Sequence, residues 1–229
     1  LTRGRKLGGL RPWAWAPDAG EVLGPLAGNI GGAAHGLAWD DAMRPLFSKQ
    51  FGARLLQELG RDDYGTIATS VDELRQKVDV WQKAGVSPLV IKTAFGQSGR
   101  GHHWITELDT ATLTWAEAAL AAHGTLVIEP HYDRVADFSI QGEWQPDGTL
   151  VWKGFTRLDV DERGRFRACV AGPRFASLFS PEVARFLNGD GDGPWLRPWL
   201  DEKLKPLLAK HFAAHRFRGA VGIDCFVFR

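Results

Sequence analysis

An apolar run, Leu89-Val90-Ile91, ends in Lys92 and continues through Thr93-Ala94-Phe95-Gly96-Gln97-Ser98-Gly99-Arg100-Gly101. Small residues let a backbone come close to a ligand, so such a loop can turn its N–H groups toward phosphate oxygens while Lys92 adds a point charge. The spacing Gly-x-x-x-x-Gly-Lys-Ser/Thr is absent and the loop leads into a strand rather than a helix, so it is not a Walker loop. A hairpin turn with a lysine that snorkels into water is the alternative reading of the same residues. A second stretch, Leu126-Val127-Ile128-Glu129-Pro130-His131-Tyr132, puts a carboxylate at a strand end, and Asp137 follows after a break. Two acids so spaced can hold an adenine amino group and a ribose hydroxyl, or simply form a charged edge at a hinge. A third, Gly222-Ile223-Asp224-Cys225-Phe226-Val227-Phe228, sets Asp224 within a strongly apolar strand. A carboxylate buried there costs several kcal/mol unless a cation or donors compensate it. Mg²⁺ is the natural partner in a phosphate site, and a hydrogen-bonded structural aspartate is the alternative.

The elements that must position these residues follow from pattern and punctuation. Pro45 is expected at the first turn of a helix that runs to Leu59, with Phe47, Phe51, Leu55 and Leu59 on one face and Gly60 as a stop. Thr66 to Thr69 reads as a strand. Ser70-Val71-Asp72-Glu73 reads as a capping box for a helix with Leu74, Val78 and Trp81 inward, closed by Gly85. Strands are expected over 88–94, 101–106 and 126–128, with a helix between the last two opened by a second capping box, Thr114-x-x-Glu117, and closed at Gly124. The order is β-α-β-turn-β-α-β. An antiparallel meander over 137–141, 149–158 and 165–170 follows, with turns at Pro146-Asp147-Gly148 and Arg163-Gly164. Ser180-Pro181 starts a helix, 189–194 is a loop, and 198–216 is an amphipathic helix that Pro206 kinks. Residues 220–228 form the last strand.

The bulk numbers exclude several classes. With 44% hydrophobic and 24% charged residues over 229 positions, the chain suits one large globular domain or two small ones. A formal net charge of +1 gives no electrostatic footprint for nucleic acid or a membrane surface. No run approaches the roughly 18 apolar residues a membrane helix needs, and Leu1 to Leu10 lacks the apolar core of a signal peptide. Two cysteines, Cys169 and Cys225, without metal-ligand spacing, fit packing roles in a reduced, cytoplasmic compartment. The ten tryptophans, Trp13 and Trp15 among them, read as packing.

Taken in order, these segments resemble the ATP-grasp superfamily from about residue 43 onward. The resemblance implies an α+β chain with the ATP-grasp fold, two α+β subdomains and a nucleotide cleft between them. Residues 1–64 would be an irregular segment and helix left from a preceding domain, 65–132 the lid subdomain, and 133–229 an incomplete C-terminal subdomain. It further implies ATP and Mg²⁺ as cofactors. Lys49 and Lys92 would meet phosphates, Ser98, Gly99, Arg100 and Gly101 would close over them, Glu129 with Pro130, His131 and Tyr132 would line the adenine side, and Asp137 the ribose side. Asp224 would bind the metal. Lys153 and Arg157 are placed on the same cleft, and Arg157 and Arg174 are assigned to catalysis, Arg174 on a substrate carboxylate or acyl-phosphate. His102 and His103 are expected as exposed strand histidines. The activity implied is activation of a carboxylate as an acyl-phosphate for attack by an amine, with small-molecule substrates and self-association open. A non-catalytic nucleotide-binding module and a small-molecule kinase are the rivals. Family members carry a further strand with a Glu and an Asn past the metal aspartate, and an α/β domain before this region. The expectation is therefore a piece of a longer protein, or a chain without catalysis, with an exposed sheet edge.

Overall fold

The computed structural model describes residues 40–96, 101–161, 165–189 and 195–229, together with Val22. The expectations for residues 1–39, for Gln97 to Arg100, for the turn at Arg163-Gly164 and for the loop at 190–194 fall outside the described residues.

Two four-stranded antiparallel sheets form the frame. The first has the order β1-β4-β2-β3, built from β1 (Thr66–Ala68), β2 (Leu89–Thr93), β3 (His102–Ile105) and β4 (Leu126–Pro130). Helices α2 (Val71–Lys83) and α3 (Thr110–His123) cover one of its faces. Alternation along the strands decides which side chains meet them: Leu89, Ile91, Leu126 and Ile128 go into a core with Leu74, Val78, Ile105 and Ala116. The residues between, Val90, Lys92, Val127 and Glu129, take the opposite face. Helix α1 (Lys49–Glu58) precedes this unit.

The second sheet has the order β7-β6-β5-β8, from β5 (Arg134–Trp144), β6 (Leu150–Val160), β7 (Phe166–Val170) and β8 (Gly219–Phe228). Its core face, with Phe138, Ile140, Trp144 and Trp152, packs on Val183 and Leu187 of α4 (Pro181–Asn188) and on Leu200, Leu204, Leu208 and Phe212 of the last helical segment. Among the described residues β8 is an edge strand.

Several expected boundaries shift for local reasons. The helix expected from Pro45 is two elements: a 3₁₀ segment, Asp41–Phe47, that contains Pro45, and α1, which starts afresh because Ser48 Oγ caps it by accepting from Phe51 N at 3.1 Å. Glu73 N donates to Ser70 Oγ at 3.1 Å, but the Glu73 carboxylate reaches one residue further back and accepts from Thr69 N at 2.8 Å. The second capping box is not used. Asp109 caps α3 by accepting from Thr112 N at 2.7 Å, and Thr114 lies inside the helix with its hydroxyl donating to Thr110 O at 3.0 Å. An ionised side chain five residues earlier is the better cap, so the helix gains more than a turn. Pro206 does not break the last helix. A π-helical turn, Leu200–Leu204, joins α5 (Leu196–Trp199) to α6 (Lys205–Ala214), and Lys205 N bonds Leu200 O; the wider turn takes up the missing proline donor. Cys169 is exposed on β7 and not a packing residue, whereas Cys225 lies against the second core.

The neck of the β2–β3 hairpin is closed by Thr93 N donating to Gly101 O at 2.9 Å. Gly101 has φ +74°, and a Cβ there would overlap the Thr93 hydroxyl, which itself donates to Phe95 O at 2.8 Å. Gly85 has a similar φ, +78°, with nothing within 4 Å of an added Cβ. Gly85→Ala is expected to cost about 1–2 kcal/mol from backbone strain alone. Gly101→Ala is expected to cost at least about 1 kcal/mol more, because a buried hydroxyl must also move. Urea unfolding of both variants measures the difference; equal costs would contradict this account of the hairpin neck.

Candidate functional site

Lys92 and Glu129 lie together on the first sheet's face opposite α2 and α3. Register places Lys92 opposite Val127 and Val90 opposite Glu129, so the two ionic side chains lie diagonally on one face of β2 and β4. Their ammonium and carboxylate make a direct ion pair, with side chains only 11% and 21% exposed. At that burial, removing one partner strands the other charge at a cost of about 3–5 kcal/mol, far above the value of an exposed pair.

Lys49 comes to the same place from α1. It is the first residue of the helix, and its backbone N–H donates to Ala94 O at 2.8 Å while Nζ donates to Gly96 O at 2.9 Å. The start of the glycine-rich loop is thus tied to the N-terminus of α1. Burial lowers the pKa of Lys49, and the neighbouring Lys92 charge lowers it further, with Glu129 partly offsetting both. Like charges held this close favour an incoming anion.

His102 pairs directly with Lys92 across the β2–β3 ladder and so shares its face. Both histidines are half-buried, which corrects the expectation of exposed strand histidines. His103 points the other way, stacked on Trp115 at 5.0 Å and bonded to Thr112 Oγ1 at 3.1 Å, and is part of the packing. The His102 pKa is pushed down to about 4, first by burial and then by Lys92, Lys49 and Arg134.

The second sheet brings Arg134, Asp137 and Asp224 alongside. Arg134 pairs with Asp137 at 3.1 Å and lies over the Phe226 ring at 4.1 Å. Asp137 has a carboxyl pKa raised by burial; Arg134 pulls it down, and Asp224 on the adjacent strand pushes it up. Register sets Asp224 opposite Ser139 and Phe226 opposite Asp137, so both acids lie on the face turned away from the core. Asp224 is exposed, not buried in an apolar strand as the sequence suggested. Alternate residues of β8, Val221, Ile223, Cys225 and Val227, meet the core; the costly burial inferred from composition does not arise. Cys225, one residue on, has its thiol pushed up to about 12 by burial and by the Asp224 charge.

Tyr132 joins the halves. Its ring meets Phe228 at 4.4 Å, Phe226 at 5.3 Å and Tyr64 at 5.9 Å, and its hydroxyl donates to Tyr64 O at 3.4 Å. Burial, then Glu129, raises its pKa. Pro130 ends β4, and the exposed His131 gives its amide to Pro88 O at 2.9 Å. Ser98, Gly99 and Arg100 lie outside the described residues; Gly101 forms the hairpin neck.

Three expected residues are not brought into this cluster. Arg157 stands opposite Phe138, on the core face, where it donates to Leu178 O at 2.7 Å and pairs with Asp159 at 2.9 Å. Strand alternation from Asp137 puts it on the wrong side. Lys153 pairs with Glu143 at 2.8 Å, six residues along β5 from Asp137, roughly 20 Å away at strand rise. Arg174 is exposed at the start of the 3₁₀ turn Phe175–Leu178. Conversely, His102 and Arg134 belong to the cluster and were not singled out as site residues. The register that puts His102 beside Lys92 was foreseeable once the hairpin was paired; nothing in the sequence marked Arg134.

No known family profile and no curated protein sequence matches the chain. Solved structures do. The biotin carboxylase domain of 2-oxoglutarate carboxylase from Hydrogenobacter thermophilus, solved with MgADP and bicarbonate, aligns with TM-score 0.53 at 16% identity over 82% of this chain and 38% of its own. N5-carboxyaminoimidazole synthetase from Staphylococcus aureus, solved with ADP, gives 0.52 at 12% identity over 82% of this chain and 42% of its own. Biotin carboxylase from Campylobacter jejuni, solved as a β,γ-ATP complex, gives 0.51 at 15% identity over 96% of this chain and 45% of its own. The chain thus spans less than half the length of these proteins. Its fold is the ATP-grasp fold, α+β, with two antiparallel sheets. Among the described residues no helix is long and apolar enough to cross a membrane.

The low His102 pKa fixes the direction of a pH effect. The folded value, about 4, lies below the ordinary 6.5. The unfolded chain therefore binds the extra proton first, and this contribution to stability is intact above pH 6.5 and lost as pH falls toward 4. Wild type is expected to lose more stability than His102→Gln between pH 7.5 and 5, measured by urea unfolding; parallel losses would contradict the assigned environment.

Proposed function

We propose that this chain binds ATP with Mg²⁺ in the cleft between its two sheets and is the nucleotide-binding part of an ATP-dependent ligase that activates a carboxylate for attack by an amine. The observation that carries the reading is the meeting of Lys49, Lys92 and Glu129 on one face of the first sheet with Arg134, Asp137 and Asp224 on the second. A cationic group at the base of a glycine-rich loop beside a pair of acids is the charge pattern a metal–polyphosphate complex requires. The similar solved proteins named above, two carboxylases and a carboxyaminoimidazole synthetase, support a small-molecule ligase of this kind.

The residues present fit both groups. Lys49 and Lys92 would hold phosphate oxygens, and Asp224 would hold the metal, with Mg²⁺ commonly taking one or two carboxylates and completing its shell with phosphate and water. Burial is the main cause of the raised Asp137 pKa and the Asp224 charge adds to it; a divalent cation between the acids would relieve that repulsion. Glu129 fixes the direction of Lys92 and offers its carboxylate toward the adenine side, with Pro130, His131 and Tyr132 following; Asp137 would accept a ribose hydroxyl. ATP supplies the phosphoryl group that activates the carboxylate. The lysines' part is to orient the phosphates and offset their charge, and the loop after Lys92, tied to Lys49 at its start and closed at the Gly101 neck, would exclude water. The division of the chain at about residue 132 into a lid part and a C-terminal part belongs to the same proposal, as does catalytic use of Arg174. Arg157 and Lys153 are engaged elsewhere and are left out of the mechanism.

Lys92→Ala is expected to weaken ATP binding about tenfold or more, since a charge-assisted contact is worth roughly 1.5–3 kcal/mol. Calorimetric titration with MgATP, on variant protein verified as folded by circular dichroism, measures it, and unchanged affinity removes Lys92 from the site. Incubation with ATP, Mg²⁺ and panels of acids and amines tests the activity. ADP formation that depends on both acceptors is the expected result. A phosphate ester as product indicates a kinase, and binding without turnover a nucleotide-binding module.

A further inference from the structure

His102 is not needed to explain how the site holds charge, yet it sits at its centre. Cross-strand pairing places it directly beside Lys92 on the face of the first sheet opposite α2 and α3, and its ring meets that of Trp104 edge-on at 6.1 Å. Lys92 acts on it from β2, Lys49 from α1 and Arg134 from β5. Glu129 on β4 is committed to Lys92, and Asp137 on β5 to Arg134. The charges that act on His102 among the described residues are all positive. Burial and these cations keep the imidazole neutral at physiological pH. A neutral imidazole at such a place is a latent cation: bring in an anion that offsets Lys49, Lys92 and Arg134, and the cost of protonating it disappears.

We propose that His102 is a polyphosphate-binding residue that takes up a proton from solvent when the polyphosphate enters the cleft, adding a positive charge only in the occupied state. The proposal rests on the nucleotide reading above and deepens it by naming a proton-coupled contact. The device has a physical rationale. A permanently charged side chain here would add to the repulsion already felt by Lys49, whereas a histidine spares the empty site that repulsion and still supplies a charge-assisted donor once the anion is present. Thermodynamic linkage then makes polyphosphate affinity rise as pH falls from 7 toward 5, because the bound state holds one proton more than the free state.

The experiment is an NMR titration of the histidine imidazoles of the intact chain, free and saturated with inorganic triphosphate, and separately with ADP. The His102 signal among the seven histidines is assigned by its loss in His102→Gln. The free protein should show the His102 midpoint well below those of ordinary histidines, and saturation with triphosphate should raise it by about two pH units or more. Calorimetry of triphosphate binding at pH 6.5 in buffers of different ionisation heat should show proton uptake in the wild type, and less in His102→Gln. Subtracting the variant removes the protonation of triphosphate itself. Binding with the His102 midpoint unmoved, or with equal proton uptake in both proteins, overturns this proposal and leaves the nucleotide reading standing. Failure of both triphosphate and ADP to bind overturns the two together. A merely structural role for His102 would change stability and leave proton uptake untouched.

Discussion

The ion pair between Lys92 and Glu129 is the constraint around which the site is arranged. It ties β2 to β4 on the face opposite α2 and α3, where α1 also packs on β4, with both side chains largely out of water. Such a pair is weak evidence for stability, since burying both charges costs nearly what their attraction returns. What it does is hold an ammonium at a fixed point. Lys49, hydrogen-bonded to the loop that leaves β2, then has to accept a cation beside it, and burial first and that neighbouring charge second lower its pKa. Sites that crowd charge in the resting state are arranged for a ligand that relieves the crowding.

The second sheet answers with the opposite arrangement. Its open face carries Asp137 and Asp224 on adjacent strands, one of them already bridged to Arg134. Arg134 is the point of contact between the halves: it stabilises Asp137, rests on Phe226 and acts on His102 across the cleft. The aromatic group of Tyr64, Tyr132, Phe226 and Phe228 lies at the same junction and gives the two sheets a packed seam, so the polar residues of each face meet at a definite spacing. Each sheet turns one face to its own core and carries its ionisable groups on the other, which is how so small a chain places seven of them together.

Much of this was legible in the sequence because strands with apolar runs announce themselves. Leu89 to Ile91, Leu126 to Ile128 and the meander after Asp137 are strands where the pattern said they would be, and glycines at 85, 101 and 124 end or turn their elements with positive φ. What sequence did not settle was phase and competition. Composition makes Asp224 look buried, but on an edge strand with one covered face alternate residues decide, and it is exposed. The same alternation sends Arg157 into the core side. Asp109 outcompeted Thr114 as a cap, and Ser48 outcompeted Pro45 as a helix start, because a side-chain acceptor at the right offset outweighs a favourable first-turn residue. His102 and Arg134 gained their surroundings only through cross-strand and inter-sheet pairing, which no local pattern encodes.

The central claim is that a nucleotide lies between the two open faces. Hydrogen–deuterium exchange of the chain with and without saturating MgADP tests it most directly. The account predicts slowed exchange in the loop after Lys92, along 102–105 and 129–134, and in β8 around Asp224, with β7 and α4 unchanged. Binding accompanied by protection confined to β7, α4 or α6, and none at 92–105, would contradict it.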